Sequence, residues 1–90
     1  MRFEWDESKN RQNLLKHDIR FETAALVFDD PRALSQTDQF CDDEERWVTI
    51  GMDSLARILV VAFTWREDRI RLISARLATP KERKQYEEGI

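Results

Sequence analysis

Residues Arg69 to Arg76 read Arg-Ile-Arg-Leu-Ile-Ser-Ala-Arg. Side chains alternate across a strand, so Arg69 and Arg71 share one face while Ile70 and Leu72 share the other. Guanidinium groups in front of apolar anchors make a platform for anions. The planar fork donates two parallel hydrogen bonds to a phosphate and keeps its charge at any working pH. By strict alternation Arg76 points to the opposite side, and it joins the other two only through a bulge or at the strand's end. A second set lies near the N terminus. Lys9, Asn13 and His17 are spaced i, i+4, i+8, which lines them along one ridge of a helix, with Lys16 beside it. A lysine, an amide and an imidazole in one line can hold a phosphate and move a proton. Each set also has a plainer alternative, a solvated strand face and a wet helix ridge.

The elements that must position these residues are short. At 90 residues the chain is expected to form a single domain over 1–90, with no room for a second core. Apolar residues make up 41% and charged residues 37%, so the core is modest and much of the chain is solvated surface. The net charge of −3 works against generic nucleic-acid binding, and any such site must be a local positive patch. The single cysteine, Cys41, cannot form an internal disulfide and fits a reducing cytoplasm, with a bystander role expected for the thiol. No signal peptide or long apolar run points to secretion or to a membrane.

Phe3-Glu4-Trp5 alternates like a short strand. Asp6 is an N-cap for a helix from about Glu7 to His17, in which Leu14 and Leu15 are the residues expected in the core. Phe21, Ala24, Ala25 and Phe28 form an apolar stripe at helical spacing, and the second helix should run to Phe28, before Asp29-Asp30-Pro31. Ala33 to Thr37 is a weak strand. Asp42-Asp43-Glu44-Glu45 reads as a solvated charge run, since contiguous carboxylates rarely converge on a metal. Three better strands follow. Arg46 to Met52 alternates, Ile58 to Trp65 is apolar enough to be central, and the Arg69 strand returns through Arg66-Glu67-Asp68. Thr79-Pro80-Lys81-Glu82 is a capping box opening a last, very polar helix, in which Tyr86 is the one sizeable apolar residue and Gly89 a stop. The expected class is α+β, a small antiparallel β-sheet with two N-terminal helices and one C-terminal helix gathered on one face. The face bearing Arg69 and Arg71 is then the more open one.

Phe3-Glu4-Trp5-Asp6, Lys9, Asn13, Lys16-His17, Phe21-Glu22, Ala24-Ala25, Val27-Phe28 and Asp30-Pro31 together resemble the N-terminal signature of the BrnT toxin family. Glu45-Arg46, Ile50-Gly51, Arg57, Val60-Val61, Arg69-Ile70-Arg71, Ile73-Ser74-Ala75-Arg76, Glu82-Arg83 and Tyr86-Glu87 continue it along nearly the whole chain. Asp18 stands where that family usually has glycine, and Leu55-Ala56 precedes Arg57 where a glycine is common. The acidic balance also departs from ribonucleases of this kind, which are often more basic.

The resemblance implies a RelE-like fold and the toxin half of a type II toxin–antitoxin pair. It implies a cytoplasmic ribonuclease that cuts messenger RNA and arrests translation and growth. The implied partner is a BrnA-like antitoxin with a ribbon-helix-helix domain. The complex would repress its own operon, touching operator DNA only through the antitoxin. No cofactor and no metal are implied. For metal-independent cleavage the 2′-hydroxyl attacks the adjacent phosphate, which requires a base, an acid and positive charge for the phosphorane. On that reading His17 moves protons, Arg71 and Arg76 carry transition-state charge with Lys16, and Lys9, Asn13 and Arg69 hold the RNA backbone. Tyr86 is either a proton donor or a core or partner contact. Trp47 and Trp65 can stack on bases, with packing the alternative. The competing function is a catalytically weak partner-binding subunit of a DNA-binding complex of the same kind.

Overall fold

The structure, a computed structural model, describes residues 2–41 and 44–89, with the side chains of 38–44 left aside. The element order is β1 (Arg2–Glu4), α1 (Glu7–His17), α2 (Phe21–Ala24) running into a 3-10 turn (Ala25–Asp29), β2 (Leu34–Cys41), β3 (Glu44–Met52), β4 (Ile58–Arg66), β5 (Arg69–Leu77) and α3 (Pro80–Glu88). Five strands form one sheet in the order β1-β5-β4-β3-β2. The apolar run Ile58–Phe63 thus lies in the middle strand, as its two-sided hydrophobicity requires.

The sheet is mixed rather than antiparallel. β1 pairs parallel with β5, Arg2 opposite Arg69 and Glu4 opposite Arg71, while the other neighbours are antiparallel. The chain passes from β1 to β5 through all the other strands, so no hairpin constrains the direction of that edge.

Nor do the helices share a face. α2 and the 3-10 turn cover one side, where Ile19, Phe21, Ala24 and Val27 pack on Leu59, Val61, Phe63, Ile70, Leu72 and Ala75. α3 lies on the other side, where Tyr86 packs against Ile50, Ile58 and Val60. Both sides of β4 are apolar, so each recruits a helix. α3 is anchored by one buried side chain, Tyr86, and covers only part of its face.

Local chemistry sets the ends. Asp6 accepts hydrogen bonds from the amides of Ser8 at 2.7 Å and Lys9 at 3.2 Å, and the Thr79–Glu82 capping box is complete. α1 stops at Asp18 in the left-handed region, φ 59°, where a short polar side chain stands in for glycine. The second helix holds α geometry only to Ala24 before tightening, in a stretch where Val27 and Phe28 are poor helix formers. Gly51 lies beneath that turn, and a Cβ there would meet the Cβ of Val27 at 3.0 Å. Of the acidic run, Asp42 and Asp43 lie outside the described residues, as do the side chains of Cys41 and Glu44, while Glu45 is exposed.

Of the two α1 leucines expected in the core, Leu14 is half-buried and Leu15 is not buried at all. Leu15 is 88% exposed, and the buried residues of the helix are Asn10 and Asn13. Asn10 accepts from the Phe21 amide at 2.8 Å and donates to Glu22 at 3.0 Å, fixing the start of α2. That donation is the main reason the Glu22 carboxyl sits below its ordinary value.

Candidate functional site

β1 is short and covers β5 only as far as Arg71. Beyond it the β5 edge would expose backbone groups, a cost natural sheets avoid. Asn13 of α1 fills the gap. Its Nδ2 donates to the Ala75 carbonyl at 2.9 Å, and the Ala75 amide donates to its Oδ1 at 3.0 Å. Nδ2 also donates to the Ile19 carbonyl at 2.9 Å. This pins the C-terminal end of α1 beside Ser74–Leu77. Asn13 is therefore committed to holding the fold, and its amide has no free N–H for a phosphate.

The second determinant is a bulge. Ala62 pairs with Ser74, yet the next rung pairs Phe63 with Leu72, so Ile73 is an extra residue in β5. An extra residue reverses the alternation beyond it. Arg71 stands opposite Thr64 and Arg76 opposite Val60, positions of like parity in β4. Arg69, Arg71, Ser74 and Arg76 consequently share one face, the side that α3 only partly covers.

Where α1 meets β5, an open groove of about 610 Å³ is lined by Leu15, Lys16, His17, Arg76, Leu77 and Thr79, with Asp18. A smaller depression of about 260 Å³ adjoins it, shared by Lys9, Lys16 and His17 with Ile73 and Ser74. Lys16, His17 and Arg76 thus meet at one place, and Lys9 extends the cationic rim. Arg71 is separate. Four rungs of β4 divide it from Arg76, about 13 Å at the usual rise of a strand. The single cluster expected from the motif is a groove plus a track of arginines leading from it.

Arg69, Arg71 and Arg76 each have a carboxylate partner. Glu4 pairs with Arg71 at 2.8 Å and with Arg69 at 3.3 Å, and its place across the parallel rung explains both. Glu82 takes Arg76 in a two-pronged pair at 2.8 and 2.9 Å. Those hydrogen bonds, opposed by partial burial and aided by Thr79, hold the Glu82 carboxyl down at about 2. The capping box made Glu82 visible in the sequence as a helix cap, but nothing local announced its grip on Arg76. Glu4 carried no local signal, and neither did Ser74 and Thr79 as groove residues.

Tyr86 lies elsewhere. It is 3% exposed, and its hydroxyl donates to Asp30 Oδ2 at 2.6 Å. That hydrogen bond, burial and the Asp30 charge raise the phenol above its ordinary value. Burial alone would raise Asp30, but hydrogen bonds from Tyr86 and from the Arg32 and Met52 amides outweigh it and keep the carboxyl low. A proton committed to Asp30, away from the His17 groove, makes Tyr86 an anchor for α3 rather than an acid. Trp47 packs on the first core cluster. Trp65 is half exposed but stands opposite Ile70, on the side away from the arginines. Among the described residues no three His, Cys, Asp or Glu side chains converge as a metal cage would need, and no helix is long and apolar enough to cross a membrane.

Comparison with known proteins adds two findings. A family model described as ribonuclease toxin, BrnT, of type II toxin-antitoxin system matches residues 5–82. The 1.1 Å crystal structure of the Brucella abortus ribonuclease toxin, BrnT, superimposes with a TM-score of 0.64 at 24% identity, over 88% of this chain and 97% of that one. At that identity the likeness is one of fold. No curated protein matches.

Proposed function

Since the chain belongs to the BrnT family of ribonuclease toxins of type II toxin–antitoxin systems, we propose that it is a metal-independent endoribonuclease that cleaves messenger RNA in the cytoplasm and so halts translation and growth. The observation that carries this reading is the groove in which Lys16, His17 and Arg76 meet. An imidazole is the side chain suited to move a proton near neutral pH. His17 takes the proton of the attacking 2′-hydroxyl as its oxygen bonds to phosphorus. The phosphorane that forms is met by Arg76 and Lys16, whose charge is most valuable where negative charge develops. The bond to the 5′-oxygen then breaks and that oxygen takes a proton, leaving a 2′,3′-cyclic phosphate and a 5′-hydroxyl. Arg71, Arg69 and Lys9 hold the flanking phosphates along β5. To reach Arg76, a phosphate exchanges with Glu82, one anion for another on the same fork.

The experiment is cleavage of a long unstructured RNA by the purified chain in excess chelator, with end-group analysis. Cyclic phosphate ends made by the wild type and lost in His17→Ala are expected. Activity that vanishes with chelator and returns with a divalent cation sinks the metal-independent chemistry.

Neutralisation is assigned to a BrnA-like ribbon-helix-helix antitoxin. The pair represses its own operon, with operator DNA touched only by the antitoxin. A second reading rests on a different observation. Both carboxylates, Glu4 and Glu82, already occupy the arginines in a molecule of net charge −3. On that reading the chain is a catalytically weak subunit whose work is to bind the antitoxin. Antitoxin binding without cleavage or growth arrest selects it.

A further inference from the structure

Exposed apolar side chains are not spread evenly over this molecule. Of the six large ones among the described residues, Leu15, Leu26, Met52, Leu55 and Leu77 gather around the β3–β4 turn and the C-terminal end of β5, with Trp65 apart. Between α3 and that turn lies a groove of about 560 Å³. Met52, Ile58 and Leu77 give it an aliphatic floor, and Arg32, Arg57 and Arg83 give it a cationic rim, with Glu87 the one carboxylate among the described lining residues. Met52 is 39% exposed and Leu77 52%. Apolar surface grouped inside a polar rim marks an interaction site.

Two of the arginines are held in place. Arg57 pairs with Asp53 at 2.8 Å and donates to the Asp18 carbonyl at 3.2 Å. Arg32 lies over the Tyr86 ring, 5.5 Å from its centre, and donates to the Glu87 carbonyl at 3.3 Å. A guanidinium has five N–H donors, so each keeps some for an incoming group. RNA is a poor fit here, because single strands are received on exposed aromatic faces and the Tyr86 ring is buried.

We propose that this groove receives an acidic amphipathic segment of the antitoxin, its apolar side chains seated on Met52, Ile58 and Leu77 and its carboxylates on Arg32, Arg57 and Arg83. The proposal rests on the toxin–antitoxin reading and deepens it. Leu77 lines both this groove and the one holding His17, so the bound segment sits against the cleavage site and closes it to RNA.

The test is titration of the wild type, Arg83→Glu, Met52→Gln and the double variant with the purified antitoxin encoded beside this chain, together with melting curves and RNA cleavage by each free protein. Neither substituted residue lines the His17 groove. Expected are a tenfold or greater loss of antitoxin affinity for Arg83→Glu, a larger loss for the double variant, and unchanged melting and cleavage. Affinity within threefold of wild type in the double variant overturns the proposal. Weaker RNA binding with antitoxin affinity retained also overturns it and assigns the groove to nucleic acid. A wild type that cuts no RNA, but whose antitoxin affinity falls as expected in the variants, leaves the groove standing and removes the ribonuclease reading instead.

Discussion

Asn13 and Ala75 exchange hydrogen bonds as two paired strand residues do, the side-chain amide of a helix standing in for a strand's backbone at 2.9 and 3.0 Å. The sheet edge left open by a short β1 is closed this way, and α1 is fixed at the depth that brings His17 to Arg76.

Asn13→Ala leaves the buried amide and carbonyl of Ala75 unsatisfied. At the usual cost of such groups the loss is about 2–4 kcal/mol, read by urea denaturation. Asn13→Asp keeps the acceptor but sets a buried carboxylate against the Ile19 and Ala75 carbonyls, and should cost at least as much as Asn13→Ala at neutral pH.

Ala56 and Glu67 hold φ of 62° and 59°, in the left-handed region that glycine enters without penalty. Ala56→Gly and Glu67→Gly should each stabilise the chain by about 0.5–1 kcal/mol, the strain relieved less the extra freedom of the unfolded chain. They sit at opposite ends of β4, so their effects should add in thermal melts.

The Glu82 carboxyl is depressed to about 2 by its pairing with Arg76. A lowered folded value contributes stability that is fully present above the ordinary 4.5 and is lost as pH falls toward 2. Glu82→Gln should remove that acid-side slope and weaken the chain at neutral pH by about 1–2 kcal/mol after solvent screening. A stability–pH curve for both proteins checks the sign. If Glu82 also masks Arg76 from RNA, Glu82→Gln should lower the KM for RNA while kcat changes little.

Tyr86→Phe removes the 2.6 Å hydrogen bond to Asp30 but keeps the ring. The expected cost is about 1–2 kcal/mol. Because the phenol is raised above 10.0, its contribution is complete below pH 10.0 and disappears as pH climbs through the raised value. The variant should lose that alkaline slope. Its Asp30 should titrate higher than in the wild type, visible by carboxyl NMR.

His17→Ala should cut kcat by about a hundred- to ten-thousandfold, the usual worth of a proton-transfer group. Arg71→Ala, about 13 Å along the strand from Arg76, should act mainly on KM and on salt dependence. Arg76→Lys keeps the charge but not the fork, and should lose kcat. Single-turnover cleavage with folding checked by circular dichroism separates these outcomes.

Much of this molecule is written locally. The Asp6 cap, the Thr79–Glu82 box and the apolar run of β4 each depend on residues a few positions apart, and each formed as the sequence indicated, whereas the stripe from Phe21 to Phe28 kept α geometry only to Ala24. The cationic residues were equally legible as types. Their arrangement was not. The bulge at Ile73 that turns Arg76 to the face of Arg71 depends on how β5 registers against β4. The parallel edge strand that brings Glu4 to Arg69 and Arg71 joins residues more than sixty positions apart. Leu15 reads as core and is exposed, because the fully buried residues of α1 are Asn10 and Asn13. Secondary structure answers to short-range sterics and hydrogen bonding, which a single segment carries within itself. Which charges meet, and on which face, answers to the pairing of distant segments, and that exists only once the chain has closed on itself.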